Sequence, residues 1–428
     1  MPRASLHTLG CRLNQAETAI IAKTLSVRGY DIVEFGEPAD LTVINTCTVT
    51  EQADAKCRQA VRQALRLNPH TFVAVVGCYS QIGLEVIRQI KGVDLIIGNE
   101  HKLKVVDHLN GLNKQVNPVV IHSLVLPQEE FTIESPGLYS FNTRANLKIQ
   151  DGCNYYCSFC IIPTVRGLAR SRIFADIIRE ARELVEFGHR ELVITGVNLG
   201  TYKNDGKRLL QVISELEKID GLARIRISSI EPTTIGAELV RYMASSEKLV
   251  PYLHLPLQSG DDRILKAMKR KHTIAAFSKF VEWAAKTIPD VGIGADIMVG
   301  FPGEGEDEFL RTKEALTELP IYYFHVFSYS DRPGTKSHDL RPKVDPQTKK
   351  VRARKLIDLS VRKKRAFYEN HVGDTVNVLF EDEEHGYWTG HTGNYMKVQV
   401  TSSQTLHNQI LPVRLTETRG DILFGVLL

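Results

Sequence analysis

What this chain lacks narrows it first. Only seven of its 428 residues are cysteine, too few and too unevenly placed for a disulfide framework, and a chain of this length can build cores without staples. No apolar run approaches the length of a membrane span. The start, M-P-R-A-S-L-H-T-L-G, enters a strand pattern without a basic n-region or an apolar h-region, so neither export nor membrane insertion is expected. The fourteen histidines form no pair at metal-ligand spacing and read as core or surface residues. G-F-P-G at 300–303 lacks the Gly-Lys-Ser/Thr ending of a phosphate loop and reads as a turn. A net charge of +4 says little by itself about a polyanionic partner.

The scarce cysteines are concentrated. Cys153, Cys157 and Cys160 stand within eight residues, in D-G-C-N-Y-Y-C-S-F-C-I-I-P. A 4Fe-4S cube normally takes four thiolates, so a three-cysteine loop leaves one iron free for a small ligand or a substrate. Zinc is the alternative for a thiol-rich loop, but a closed zinc site needs a fourth ligand, and no nearby His or Cys supplies it. Thiols kept free for iron suit a reducing compartment, so a cytoplasmic location is expected.

From residue 5 to about 110, short apolar runs alternate with helical patterns, which predicts a parallel α/β layer. Cys11, Cys47 and Cys78 each follow directly after a strand run: S-L-H-T-L-G, L-T-V-I-N-T and F-V-A-V-V-G. Ligands of open parallel sheets gather beyond the carboxyl ends of the strands, so these thiols can converge on one point and hold a second cluster with an open iron. The alternative is three separate buried thiols. Cys57, mid-helix in A-D-A-K-C-R-Q-A, reads as an unliganded thiol.

Residues 111–140 mix Pro, Asn, Gln, Ser and Gly without periodicity and read as a connection. Six strand candidates follow, each trailed by a helical pattern: A-N-L-K-I-Q, E-L-V-I-T-G, R-I-R-I-S-S, Y-L-H-L-P-L, G-I-G-A-D-I-M-V-G and I-Y-Y-F-H-V-F. They predict a partial barrel, with the cysteine triplet on the loop after its first strand, where barrel enzymes build their sites. Beyond about 371, four short strand patterns between Gly, Asn and Asp turns predict a small antiparallel barrel. The expected fold is therefore α/β: a parallel sheet domain over 1–125, a partial (β/α)6 barrel over 140–370 and a β-barrel over 371–428.

Residues 341–370 hold eleven Lys and Arg against Asp345, Asp358 and Glu369. This is either an RNA-binding patch or a solvated helix face above an apolar stripe of Val351, Leu356, Leu359 and Phe367. Tyr387 and Trp388 are candidates for stacking on a base, or equally for the core of the small barrel. The acids at 381–384 argue against a uniformly basic terminal domain.

The C-x3-C-x2-C loop on the first strand of a partial barrel resembles the radical S-adenosylmethionine (SAM) superfamily. With Cys11, Cys47 and Cys78 upstream and a terminal β-barrel, the whole chain resembles the methylthiotransferases, whose order is cluster domain, radical SAM barrel and TRAM domain. T-L-G-C-R-L-N-Q, I-N-T-C-T-V-T-E-Q-A-D-A-K and V-G-C-Y-S-Q are most similar to the branch acting on N6-threonylcarbamoyladenosine in tRNA, the MtaB type. The resemblance implies two 4Fe-4S clusters, with SAM serving as both methyl donor and source of a 5′-deoxyadenosyl radical. It implies methylthiolation at C2 of the adenine beside the anticodon, a tRNA anticodon stem-loop as partner, and a low-potential electron donor such as flavodoxin or ferredoxin. Oligomeric state stays open. A ribosomal aspartate or isopentenyladenosine in tRNA are alternative substrates, and a non-catalytic RNA-binding or iron-sulfur scaffold is the rival of a different class.

By the same resemblance Cys153, Cys157 and Cys160 are catalytic. Gly196 and Asn198 in I-T-G-V-N-L-G, Ser229, Glu231, Gln258, Ser259 and Arg172 are expected near SAM. Asp296, Arg166, Lys363, Lys364 and Arg365 are expected near substrate. Related enzymes often carry an acid soon after the Arg-Gly pair, where this chain has Leu168 and Ala169. The two cysteine groups are expected to face one cleft, with the first domain over the barrel mouth.

Overall fold

The computed structural model describes residues 1–48, 51–109, 111–134, 137 and 143–428, with backbone alone at 51–54. Val49 and Thr50 of the I-N-T-C-T-V-T-E run, and the expected domain start at 140, lie outside the described residues.

The first domain is a six-stranded sheet in the order Asp31–Val33, Arg3–Thr8, Leu41–Thr46, Phe72–Gly77, Leu95–Ile97 and Val119–Ile121. All its pairings are parallel. The two central strands are buried along their whole length, as expected where helices cover both faces. Alternate residues serve two cores: Leu41, Val43, Ala74 and Val76 meet Ile21 and Leu25 on one face, while Ile44, Val73 and Val75 meet Cys57 and Val61 on the other. Val119–Ile121 falls inside the stretch expected to be a connection; three residues are too few to show a period in the sequence.

The barrel consists of Arg144–Lys148, Glu191–Thr195, Arg224–Ile227, Tyr252–Gln258, Gly292–Val299 and Tyr323–Ser328, in two parallel halves of three strands. A bridge between Ile225 and Leu249 joins the halves, and the first and sixth strands remain edges. One set of alternate residues, including Ala145, Leu147, Leu192, Ile194, Leu253, Leu255, Ile293 and Ala295, packs on the helices in a single core. The pleat therefore turns Arg144, Asn146, Lys148, Glu191, Arg226, His254, Asp296 and His325 inward. The interior is polar, unlike the apolar filling of a complete eight-stranded barrel.

The terminal barrel closes with five strands, Thr375–Glu384, Tyr387–His391, Lys397–Val400, Ile410–Arg419 and Ile422–Leu427, the last beyond the four the sequence announced. Trp388 is buried in its core with Val398, Val413 and Leu415, so packing and not base stacking claims it. Tyr387 meets Phe424 edge to face. This barrel docks beneath the amino ends of the larger barrel's strands. Arg224 donates to the carbonyls of Asn377 and His391, Arg226 donates to those of Thr392 and Gly393, and Arg144 pairs with Glu381 at 2.8 Å. One of the clustered acids is thus used in domain contact.

Candidate active site

The loop carrying Cys153, Cys157 and Cys160 begins with a forced glycine. Gly152 has φ +69°, and a Cβ there would lie 1.9 Å from the Leu168 carbonyl oxygen. The N–H of Cys153 donates to Gly167 at 3.1 Å and that of Cys160 to Cys157 at 3.0 Å. Ser158 ties the loop down through its N–H to Met268 and its hydroxyl to Ala267. All three thiols are half-buried. Burial pushes their pKa values up, that of Cys160 to about 12, so metal binding here must displace protons. At Cys157 the burial is opposed by Arg270, whose guanidinium lies 3.5 Å from Sγ.

Arg270 escaped the sequence reading because K-R-K-H-T looks like any surface charge run. Its side chain is buried, pairs with Glu231 at 2.6 Å and donates to the Pro256 carbonyl at 2.7 Å. Glu231, expected beside SAM, is thereby committed to Arg270. Asn198 lies beside Cys153, and its buried amide atoms find no other partner among the described residues. Gln150, also missed, accepts from the N–H groups of Val197 and Asn198 at 2.8 Å and so fixes the loop after the second strand. Gly196 packs against Gln150 and Leu199, which leaves no room for a side chain. Three thiols, a guanidinium and an orphaned amide together fit a thiolate-held cluster with a polar ligand beside it.

Several expected contacts are reassigned. Arg172 is fully buried, pairing with Asp176 at 2.7 Å and with Glu180, so its guanidinium is spent inside the fold. Ser259 is buried, its hydroxyl bonded to Thr312 and accepting from the Asp261 N–H, which makes it a turn-fixing residue. Ser229 is exposed, and Gln258 sits at a bulge with φ +75°. Lys363 donates to the carbonyls of Thr317 and Leu319, Lys364 pairs with Asp421 and Arg365 with Glu369. Asp296 meets two histidines, described below.

The upstream cysteines reach the same end of the barrel. Cys11 caps the helix Arg12–Val27, Cys47 follows Leu41–Thr46, and Cys78 opens the helix Cys78–Ile82 after Phe72–Gly77. Gly10, at φ +98°, passes so close to Cys47 that a Cβ would stand 2.7 Å from its sulfur. Cys78 packs on Ile161 and Val165, immediately after Cys160, and Asn99 beside it donates to the Val165 carbonyl at 2.5 Å. Thr48, next to Cys47, accepts from Arg332 of the barrel segment.

A buried charge cluster locks the two regions together. Glu17, one turn along the helix that Cys11 caps, pairs with Lys102 at 2.5 Å, Lys148 at 2.8 Å and Arg166 at 2.9 Å. Asp151 pairs with Lys148 at 2.7 Å and Arg166 at 3.0 Å. Arg166 also donates to Asn14 at 2.6 Å. It is thus an interdomain hub, joining Asp151 of the barrel to Glu17 of the first domain. Burial disfavours the Glu17 carboxylate, yet Arg166, Lys102 and Lys148 outweigh it and hold the group well below the usual range.

A partial barrel with three thiols on its first loop, faced by a parallel sheet with three more at its strand ends, defines a radical SAM enzyme with an auxiliary cysteine site. Residues 147–316 match the Radical SAM superfamily and residues 3–98 match "Uncharacterized protein family UPF0004". The chain is 37% identical to "Threonylcarbamoyladenosine tRNA methylthiotransferase MtaB" of Bacillus subtilis, over 97% of this chain and 94% of that protein. It is 38% identical to the MtaB of Aquifex aeolicus over 89% and 93%. It is 32% identical to "tRNA-2-methylthio-N(6)-dimethylallyladenosine synthase" of Cereibacter sphaeroides over 98% and 97%. The chain belongs to the radical SAM tRNA methylthiotransferases, enzymes that use SAM and 4Fe-4S clusters. Among solved structures, the radical SAM methyltransferase TsrM of Kitasatospora setae, with cobalamin and a 4Fe-4S cluster bound, shares the fold. The TM-score is 0.54 at 14% identity, covering 91% of this chain and 81% of that one.

Proposed function

We propose that the protein inserts a methylthio group at C2 of N6-threonylcarbamoyladenosine next to the tRNA anticodon. The observation that carries this reading is the packing of Cys78 on Ile161, the residue that follows Cys160. Full-length similarity to proteins named for that nucleoside supports the substrate. Cys153, Cys157 and Cys160 would hold one cluster and Cys11, Cys47 and Cys78 the other; when bound, these groups and SAM supply one-electron cleavage chemistry and a methylated sulfur. The chain's own part is to bind and orient. Asn198 and Arg270 flank the first trio, and the Glu17–Arg166 cluster holds the second trio's helix against the barrel, at the near-attack precision such transfers need.

For tRNA, the helix Pro346–Glu369 leaves Lys350, Lys355 and Arg362 exposed, a cationic face for phosphates. A low-potential donor of the flavodoxin or ferredoxin class supplies the electron, and the cytoplasm is the compartment that keeps such thiols reduced. Mass analysis of tRNA nucleosides from a deletion strain tests the reading: 2-methylthio-threonylcarbamoyladenosine should vanish while its unthiolated precursor accumulates. Loss of the methylthio-isopentenyl nucleoside instead would reassign the substrate.

A further inference from the structure

The barrel interior holds a constellation that the chemistry above does not use. His254 on the fourth strand, Asp296 on the fifth and His325 on the sixth face inward, since Leu253, Leu255, Ala295, Ile297 and Phe324 between and beside them pack on the helices. The register sets Asp296 opposite His325 and two residues beyond the partner of His254, on the same face. Asp296 Oδ1 lies 3.0 Å from His254 Nε2 and 3.5 Å from His325 Nδ1, and the three ligand atoms all lie within 4.8 Å of one another.

The longer separation is poor for an N–H···O hydrogen bond. It suits two atoms each held about 2.1 Å from one ion. The remaining ring nitrogen of His254, Nδ1, lies 3.2 Å from the Tyr323 hydroxyl, which in turn meets that of Tyr252. A partner on the far nitrogen is what fixes the tautomer and orientation of a metal-bound imidazole. Access is graded: the side chain of His254 is 7% exposed, that of Asp296 21% and that of His325 57%, so the buried ligands are reached past an accessible one.

We propose that His254, Asp296 and His325 form a cation site separate from both cysteine groups, taking one divalent ion of the manganese, iron or zinc class. Two imidazoles with one carboxylate suit that class. The set has too few oxygens for calcium and no sulfur for copper(I). Three protein ligands leave at least one position open toward the barrel interior.

The test uses the enzyme with both clusters loaded, so that the cysteines are occupied, and titrates it with Mn2+ while EPR follows the free ion. Wild type should show one saturable site. Asp296→Asn and His325→Ala should each weaken it roughly tenfold or more, with iron and sulfide contents unchanged as the check on folding. His325 is exposed, so its variant has little structural cost. Absence of a saturable site, or its persistence in both variants, overturns the proposal.

Discussion

The two cysteine trios solve one problem by opposite means. In the barrel loop, Cys153, Cys157 and Cys160 are neighbours in sequence, and local turns with one obligatory glycine at 152 arrange them. In the first domain, Cys11, Cys47 and Cys78 come from three strand ends, and only the register of a parallel sheet brings them to one edge. The local trio depends on a few backbone hydrogen bonds; the distributed trio depends on a whole domain and on its docking through Glu17 and Arg166. Loss of one thiol should therefore empty only its own site in either trio, whereas loss of the docking contacts should disturb the distributed trio.

The largest expected effect separates the trios directly. Cys157→Ala should abolish reductive cleavage of SAM and remove about four irons, leaving the auxiliary site loaded, as iron and sulfide analysis would show. Cys47→Ala should do the reverse, keeping SAM cleavage and losing transfer of the methylthio group. If either substitution empties both sites, the contrast fails.

Gly152→Ala should come next. Its Cβ meets the Leu168 carbonyl, so the cysteine loop must shift and cluster loading should fall at the barrel site only.

Glu17→Gln removes the shared acid beneath Lys102, Lys148 and Arg166, and should cost about 3–5 kcal/mol by denaturant unfolding. The sign of its pH dependence is fixed. A carboxyl held below its ordinary value of 4.5 stabilises the fold above that pH, and this contribution is lost as pH falls toward the folded value. The variant should lack that part of the wild-type acid sensitivity. The smallest effect is expected from Arg362→Glu on the exposed helix face: tRNA binding weakened by severalfold at low salt, the difference shrinking as salt rises. Lys363→Glu, at a side chain already engaged with two carbonyls, should instead lower stability.

Much of this architecture was legible from periodicity. The six barrel strands and three of the sheet strands carry long apolar or alternating runs, and they stand where those runs lie. The missed strands have local explanations. Asp31–Val33, Leu95–Ile97 and Val119–Ile121 are three residues each, too short to show a period, and Ile422–Leu427 follows a turn at the extreme end of the chain. The site was legible in its sulfurs and in Asn198, which lies beside Cys153. Arg270, Gln150 and Glu17 carry no motif, because what makes them matter is a neighbour far away in the chain. His254 and His325 likewise have no ligand spacing in sequence, being brought to Asp296 across adjacent strands.

The order of residues alone determined that three thiols would share one loop, that two α/β units and a small β-barrel would form, and which positions would be apolar, since each follows from covalent spacing and short-range periodicity. Tertiary structure decided the rest: that Cys78 packs on the residue following that loop, and that Arg166 and Arg172 pair with buried carboxylates. The reason is physical. A guanidinium takes whichever carboxylate the fold brings within about 3 Å, and no local pattern in the chain records that distance.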